Sequence, residues 1–285
     1  MKHSSAAIFP TGGTLEFPDQ ISKKAKIRDT MALIKNKLLV LSGKGGVGKS
    51  TVAVHLSVAL ADRGFLTGLL DIDLHGPSIP GMLGLSGQRV SAEGSLLLPL
   101  AFNERLKVIS MASILGDQDT ALIWRGPRKG GAIRQLLGDV LWGPLDFLVI
   151  DAPPGTGDEP LSVAQSIPGV RAVVVTTPQQ VAIQDVRRSL QFLDKLALPI
   201  VGVIENMSGL ICPHCHKKID LFKQGGGETL AKDWGVPFLG KIPLEPDLVS
   251  EADAGQPFFK GHEDSATVQA FKHIADEVIR QIETK

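Results

Sequence analysis

The run Gly43-Lys44-Gly45-Gly46-Val47-Gly48-Lys49-Ser50-Thr51 satisfies G-x-x-x-x-G-K-[ST] at every fixed position. Few motifs constrain a fold as much, because the loop needs a strand to deliver it and a helix to receive it. Backbone N–H groups of the glycine-rich turn point inward to cradle the α- and β-phosphates of a nucleotide. Lys49 reaches the β- and γ-phosphates, and the Ser50 hydroxyl is placed to ligate Mg²⁺. The flanking sequence supplies the required context. Leu38-Leu39-Val40-Leu41 reads as a buried strand and Val52 to Leu60 as a helix, whose N-terminal partial positive charge adds to the anion site. All nine residues from Gly43 to Thr51 are therefore candidate nucleotide contacts.

From residue 37 onward, strand-like apolar runs alternate with helical patterns, the signature of βαβ units feeding a parallel sheet. The expected strands are Leu38–Leu41, Thr67–Ile72, Leu106–Ser110, Phe147–Asp151, Ala172–Thr176, Ile200–Glu205 and Phe238–Gly240. Helices are expected over Ser50–Asp62, Gly131–Leu137, Gln180–Leu196, Gly227–Trp234 and Ser265–Ile282. In the last of these, Val268, Phe271, Ile274, Val278 and Ile282 recur at helical spacing as a core stripe. The fold class is thus α/β: a doubly wound, mainly parallel sheet of the phosphate-loop NTPase kind. A length of 285 residues with 43% hydrophobic content supports one large domain. We expect an extended arm over residues 1–35, then a single ATPase domain over 36–285 with a cysteine-pair insertion near 206–222. Residues 84–99 read as a surface excursion.

Thirty basic residues balance thirty acidic ones, which gives no support to a nucleic-acid or membrane-surface partner. The local basic group Arg125, Arg128, Lys129 and Arg134 is as well explained by a solvated face. With neither a signal-peptide core nor an apolar run of roughly 18 residues, the expectation is a soluble, cytoplasmic protein.

Carboxylates complete the nucleotide site. Leu69-Leu70-Asp71-Ile72-Asp73 puts two acids at the C-terminal end of an expected strand, the edge where open α/β sheets bind ligands. If the strand runs through both, they share a face. Asp146-Phe147-Leu148-Val149-Ile150-Asp151, followed by Ala152 to Asp158, has the form of a Walker B strand and switch loop. Asp151 would hold Mg²⁺ directly or through water, and the loop glycines allow a change of shape when the γ-phosphate leaves.

The chain's two cysteines lie in Cys212-Pro213-His214-Cys215-His216. So few exclude a disulfide framework and raise the question of metal or redox use. Two thiolates can share a metal centre but complete neither a tetrahedral site nor a four-iron cluster. If two chains pair, symmetry brings four cysteines together at the two-fold axis. His214 and His216 would alternatively allow a zinc site, although residues so close in sequence are hard to fold around one ion. An oxidoreductase active site is a third reading, without its usual βαβ context.

The second lysine of the loop, Lys44, resembles that of the deviant-Walker, MinD/Mrp-like branch of phosphate-loop ATPases. The resemblance implies that Lys44 reaches across a dimer to the partner's nucleotide. Several further segments are involved: Asp71 to Ser78, Trp124-Arg125-Gly126-Pro127, the Asp151–Asp158 loop, Asn206-Met207-Ser208 and the cysteine pair. Together they look like an Mrp/ApbC-type iron–sulfur cluster carrier ATPase, over about residues 36–259. That resemblance implies that Asp73 orients the attacking water, that Asp71 lies near the metal, that Asn206 reads the adenine edge, and that Cys212 and Cys215 bind a bridging 4Fe-4S cluster. ATP and Mg²⁺ are then cofactors, and the implied partners are a second copy of the chain, apo iron–sulfur proteins and cluster assembly machinery. The sequence departs from the eukaryotic cytosolic scaffold relatives in having no N-terminal cysteine cluster. A rival reading is a MinD- or ParA-like dimerisation switch with structural zinc on the cysteine pair. Against a membrane-cycling form of it, Ser265–Lys285 carries mixed charge rather than a basic amphipathic face.

Overall fold

Successive side chains of a strand face opposite sides of its sheet, so a strand apolar throughout must be covered on both faces. The computed structural model describes residues 18–73, 78–115, 126–155, 157–211, 215, 217–219, 221–222, 224–256 and 258–284, and its central strands obey this rule. Leu38, Val40, Phe147, Val149, Val173 and Val175 face one hydrophobic layer. Their neighbours Leu39, Leu41, Leu148, Ile150, Ala172 and Val174 face the other.

In chain order the elements are α1 (Pro18–Ala32), β1 (Ile34–Ser42), α2 (Lys49–Asp62), β2 (Thr67–Asp71), α3 (Ile79–Met82), β3 (Ser91–Glu93), β4 (Leu96–Leu98), β5 (Leu100–Ala101), β6 (Leu106–Ser110), α4 (Met111–Leu115), α5 (Gly126–Gly138), β7 (Leu145–Asp151), α6 (Asp158–Ser166), β8 (Val170–Thr176), α7 (Gln180–Lys195), β9 (Ile200–Glu205), β10 (Leu210–Ile211), β11 (Lys218–Ile219), α8 (Gly226–Trp234), β12 (Phe238–Lys241), α9 (Pro246–Asp253) and α10 (Ala266–Glu283). The main sheet runs β12-β9-β8-β1-β7-β2-β6-β5, with only the β5–β6 pairing antiparallel. Helices α2 and α10 cover one face, where Val268, Phe271, Ile274 and Val278 are buried as the stripe predicts. The other face is covered by α1, α5, α6, α7 and α8. This is the doubly wound arrangement expected from the βαβ alternation.

All seven expected strands form: β6 and β9 match their expected bounds, β7, β8 and β12 run one or two residues longer, β1 runs from Ile34 to Ser42, and β2 stops one residue short, at Asp71. Hydrogen bonding to a neighbour extends a strand into polar flanks that periodicity does not register. The expected extended arm is wrong from residue 18 onward. Residues 18–32 are helical, and Ile27 and Met31 are buried against α5. The Thr30 hydroxyl donates to the Gly138 carbonyl at 2.9 Å. Two buried residues four apart make too narrow a stripe to stand out in a polar segment. Residues 1–17 lie outside the described residues. Within 84–99 the excursion is a hairpin of β3 and β4.

A titratable ring also packs within the aromatic part of the core. His55 of α2 is buried and stacked on Phe259 and Phe271, with ring centroids 5.5 and 5.0 Å away. Its Nδ1 lies 2.8 Å from the Thr51 carbonyl, which can only accept, so Nδ1 carries the proton and donates. Burial pushes the imidazole down to about 4, against a smaller opposing effect of that hydrogen bond. The unfolded chain therefore binds a proton more readily than the native one between those values. The stability contributed by neutral His55 is complete above about pH 6.5 and is lost as pH falls through 4, by about 3 kcal/mol. Urea unfolding at pH 7 and pH 4 is expected to show this loss in the wild type and a correspondingly smaller loss in His55→Leu.

Candidate functional site

Because β1, β2, β6, β7, β8 and β9 run parallel, their C-terminal ends reach one edge, and each ends in a polar residue: Ser42, Asp71, Ser110, Asp151, Thr176 and Glu205. Asp71 pairs in register with Asp151 on one side and with Ser110 on the other. The glycine-rich loop leaves the end of β1 over this edge and enters α2 at Lys49. A cavity of about 220 Å³ opens above it, lined by residues including Lys44, Lys49, Ser50, Thr51, Asp73 and Pro154.

Beneath the cavity is a buried charge cluster. The Lys49 ammonium lies 2.5 Å from Asp151 Oδ1 and 3.8 Å from Asp73 Oδ2. The Ser50 hydroxyl donates to Asp151 Oδ2 at 2.6 Å. Asp71 is fully buried and accepts from the Ser110 hydroxyl (2.8 Å) and the Asp73 backbone N–H (3.0 Å). Burial, and after it the charge of Asp151, holds Asp71 well above the usual carboxylate range. Burial also raises Asp151, opposed by Lys49 and Ser50. Three carboxylates thus crowd around one ammonium, a set that fits the additional positive charge of a hard divalent cation. Ser50 and Asp151 are oxygen donors that could hold one.

The two acids of β2 do not share the strand. It ends at Asp71, and Asp73 lies beyond it, where its N–H caps the Asp71 carboxylate. The turn aims Asp73, not Asp71, at the cavity. Lys44 lines that cavity with no ion pair among the described residues. Asn206 follows β9, and its side-chain amide donates to the Val47 carbonyl at 2.9 Å, latching the phosphate loop to the β9 end of the sheet.

Two glycines of the motif have packing reasons that the pattern does not reveal. A Cβ on Gly43 would lie 2.4 Å from the Asp185 carbonyl carbon, so α7 can approach the loop only because residue 43 has no side chain. Gly48 has φ +78° and would place a Cβ 2.2 Å from the Asn206 amide nitrogen. Sequence reasoning missed Ser42 and Ser110, although each is the polar residue that ends a strand at this edge.

The cysteine pair falls where β10 and β11 form a two-residue antiparallel ladder, Leu210 opposite Ile219 and Ile211 opposite Lys218. Cys215 is exposed and unpaired, while Cys212, His214 and His216 lie outside the described residues, as do Trp124 and Arg125. Of the basic group, Arg134 joins Lys24 and Arg28 along a larger cavity of about 480 Å³ between α1, α5 and α6. Pro168, which precedes β8, also lines it, and this sets it at the opposite sheet edge, away from the phosphate loop.

The family model described as NUBPL iron-transfer P-loop NTPase matches residues 33–279. A Methanocaldococcus jannaschii protein named iron-sulfur cluster carrier protein is 47% identical over 262 residues, covering 92% of this chain and 90% of that protein. A Trichoplax adhaerens protein named cytosolic Fe-S cluster assembly factor NUBP2 homolog is 48% identical over 246 residues, covering 85% and 93%. A solved Archaeoglobus fulgidus nucleotide-binding protein in complex with ADP is 35% identical, with a TM-score of 0.74 over 87% of this chain and 96% of that one.

The latch can be tested against a glycine that differs only in its surroundings. Gly46 has φ +79° but meets nothing within 4 Å, so Gly46→Ala carries the backbone strain alone. Gly48→Ala is expected to cost at least about 1 kcal/mol more, because it must also displace Asn206. Denaturant unfolding of the two variants side by side measures the difference.

Proposed function

This chain belongs to the NUBPL iron-transfer P-loop NTPase family, and from that premise we propose that it is an ATP-binding and ATP-hydrolysing carrier. Its cargo is a labile 4Fe-4S cluster, held at a homodimer interface and handed to apo iron–sulfur proteins. The relatives' names support the cargo. One observation carries the reading: the latch from Asn206 to Val47 joins the phosphate loop to the strand end from which the cysteine-bearing hairpin departs.

In this reading all nine residues Gly43 to Thr51 contact the nucleotide, and Asn206 meets its base. Ser50 and Asp151 hold Mg²⁺, with Asp71 behind them. When bound, Mg²⁺ polarises phosphoryl oxygens and offsets their charge. Lys49, paired with Asp151 at 2.5 Å, turns to the phosphates, and Asp73 at the cavity wall orients the attacking water. Lys44 adds its charge to the partner's nucleotide. Catalysis on this plan is positioning and electrostatic stabilisation.

Cys212 and Cys215 of each chain supply two thiolates, so a four-iron cluster needs both subunits. The apolar face of α10 is buried in the core, which removes the surface a membrane-cycling switch would use. No helix among the described residues is long and apolar enough to cross a membrane. We place the carrier in the cytoplasm, with no nucleic-acid or membrane partner.

Anaerobic iron–sulfur reconstitution tests the cargo. The wild type is expected to take up about two irons and two sulfides per chain as a dimer, and Cys212→Ala, Cys215→Ala to take up neither. Zinc without sulfide in the wild type would favour a nucleotide switch with a structural metal. For the hydrolytic step, Lys44→Ala is expected to slow steady-state phosphate release from ATP at least about a hundredfold. An unchanged rate would remove Lys44 from the reaction.

A further inference from the structure

Glu205 is the last residue of β9 and is fully buried. A buried carboxylate needs several donors, and the three it has among the described residues come from both ends of one chain excursion. Oε1 accepts from the Ser208 hydroxyl at 2.6 Å and from the Gly225 N–H at 3.0 Å, and Oε2 from the Gly227 N–H at 2.6 Å. Ser208 stands where the chain leaves β9, and Gly225 to Gly227 open α8, where the chain returns. Between them lie β10, β11 and both cysteines. The positive end of α8 faces the carboxylate, which adds to the attraction. Gly227 also gives the carboxylate its access: a Cβ there would stand 3.2 Å from Glu205 Oε2.

Backbone bonds brace the same neck. The Ser208 N–H donates to the Ile242 carbonyl at 2.8 Å and the Leu244 N–H to the Gly209 carbonyl at 2.7 Å. They hold the outgoing chain only; the β10–β11 ladder joins it to the returning chain further out, and Glu205 joins the two at the neck itself. Its chain neighbour Asn206 holds the phosphate loop at Val47. One side chain therefore closes the cysteine-bearing excursion, and the next one grips the nucleotide loop.

We propose that Glu205 is a positioning residue that couples nucleotide occupancy at the phosphate loop to the closure of the neck that Ser208 and Gly225 to Gly227 form at the base of the cysteine-bearing excursion. Nucleotide that fixes Asn206 fixes the adjoining carboxylate, which then holds the neck shut. Loss of nucleotide lets the neck between Ser208 and Gly225 loosen. The inference rests on the proposed nucleotide site but not on the identity of the cargo.

Amide hydrogen exchange on the full-length protein without cargo, with and without MgADP, separates the links. In the wild type, MgADP is expected to slow exchange in peptides covering residues 43–52 and, at least about fivefold, in those covering 208–227. Glu205→Gln keeps the shape of the side chain but not its charge. It is expected to keep the protection at 43–52 and lose the nucleotide effect at 208–227. A residue that only stabilised the fold would raise exchange in both states and leave their ratio unchanged. Ser208→Ala removes one of the three bonds and leaves α8 attached. It is expected to reduce the effect at 208–227 in part, and it decides the matter if Glu205→Gln does not fold. Protection at 43–52 without any at 208–227 in the wild type, or an undiminished effect in the variants, overturns the coupling. No protection at 43–52 in the wild type would instead overturn the nucleotide site itself.

Discussion

A lysine ammonium buried among three carboxylates is the interaction around which this molecule is arranged. A charge taken out of water is tolerable only where partners of opposite sign are held close. Here Lys49, at the first turn of α2, meets Asp151 at the end of β7 and Asp73 just past β2. Those three chain positions coincide because β1, β7 and β2 are parallel neighbours in register. The surplus of negative charge is part of the same design. Burial raises both Asp71 and Asp151, and a hard divalent cation beside them would favour their charged forms.

A second buried carboxylate organises the other half of the sheet edge. Glu205 differs from Asp151, which meets the Lys49 ammonium, in meeting backbone and hydroxyl donors instead. Such donors belong to particular chain segments, so satisfying the charge also fixes where those segments sit. The phosphate loop and the cysteine-bearing hairpin, more than 150 residues apart in sequence, are thereby attached to consecutive residues of one strand end. A family whose relatives are named for moving iron–sulfur clusters has reason to keep that distance short.

The parts legible in the sequence were those governed by local pattern. The glycine-rich loop announced itself, as did the strand ending in Asp151 and the apolar stripe of α10, because each follows a fixed spacing that one element imposes. Illegible parts depended on contacts distant in sequence. Helix α1 reads as an arm because its burial, among the described side chains, rests on Ile27 and Met31 and on a surface of α5 more than 100 residues away. The turn after β2, which aims Asp73 at the cavity and leaves Asp71 behind it, has no pattern of its own. Gly43 read as part of the phosphate cradle, yet the space it leaves also admits the backbone of α7.

The amino-acid sequence by itself determined the fold class and the chemistry available at the phosphate loop, because periodicity and turn-forming residues act over a few positions along the chain. Only the tertiary structure decided which acid faces the cavity, that Asn206 latches the loop, and that Glu205 closes the neck of the cysteine-bearing excursion. Those outcomes turn on the parallel register of strands far apart in sequence and on the need of buried charges for partners, and neither is written in any single stretch of the chain.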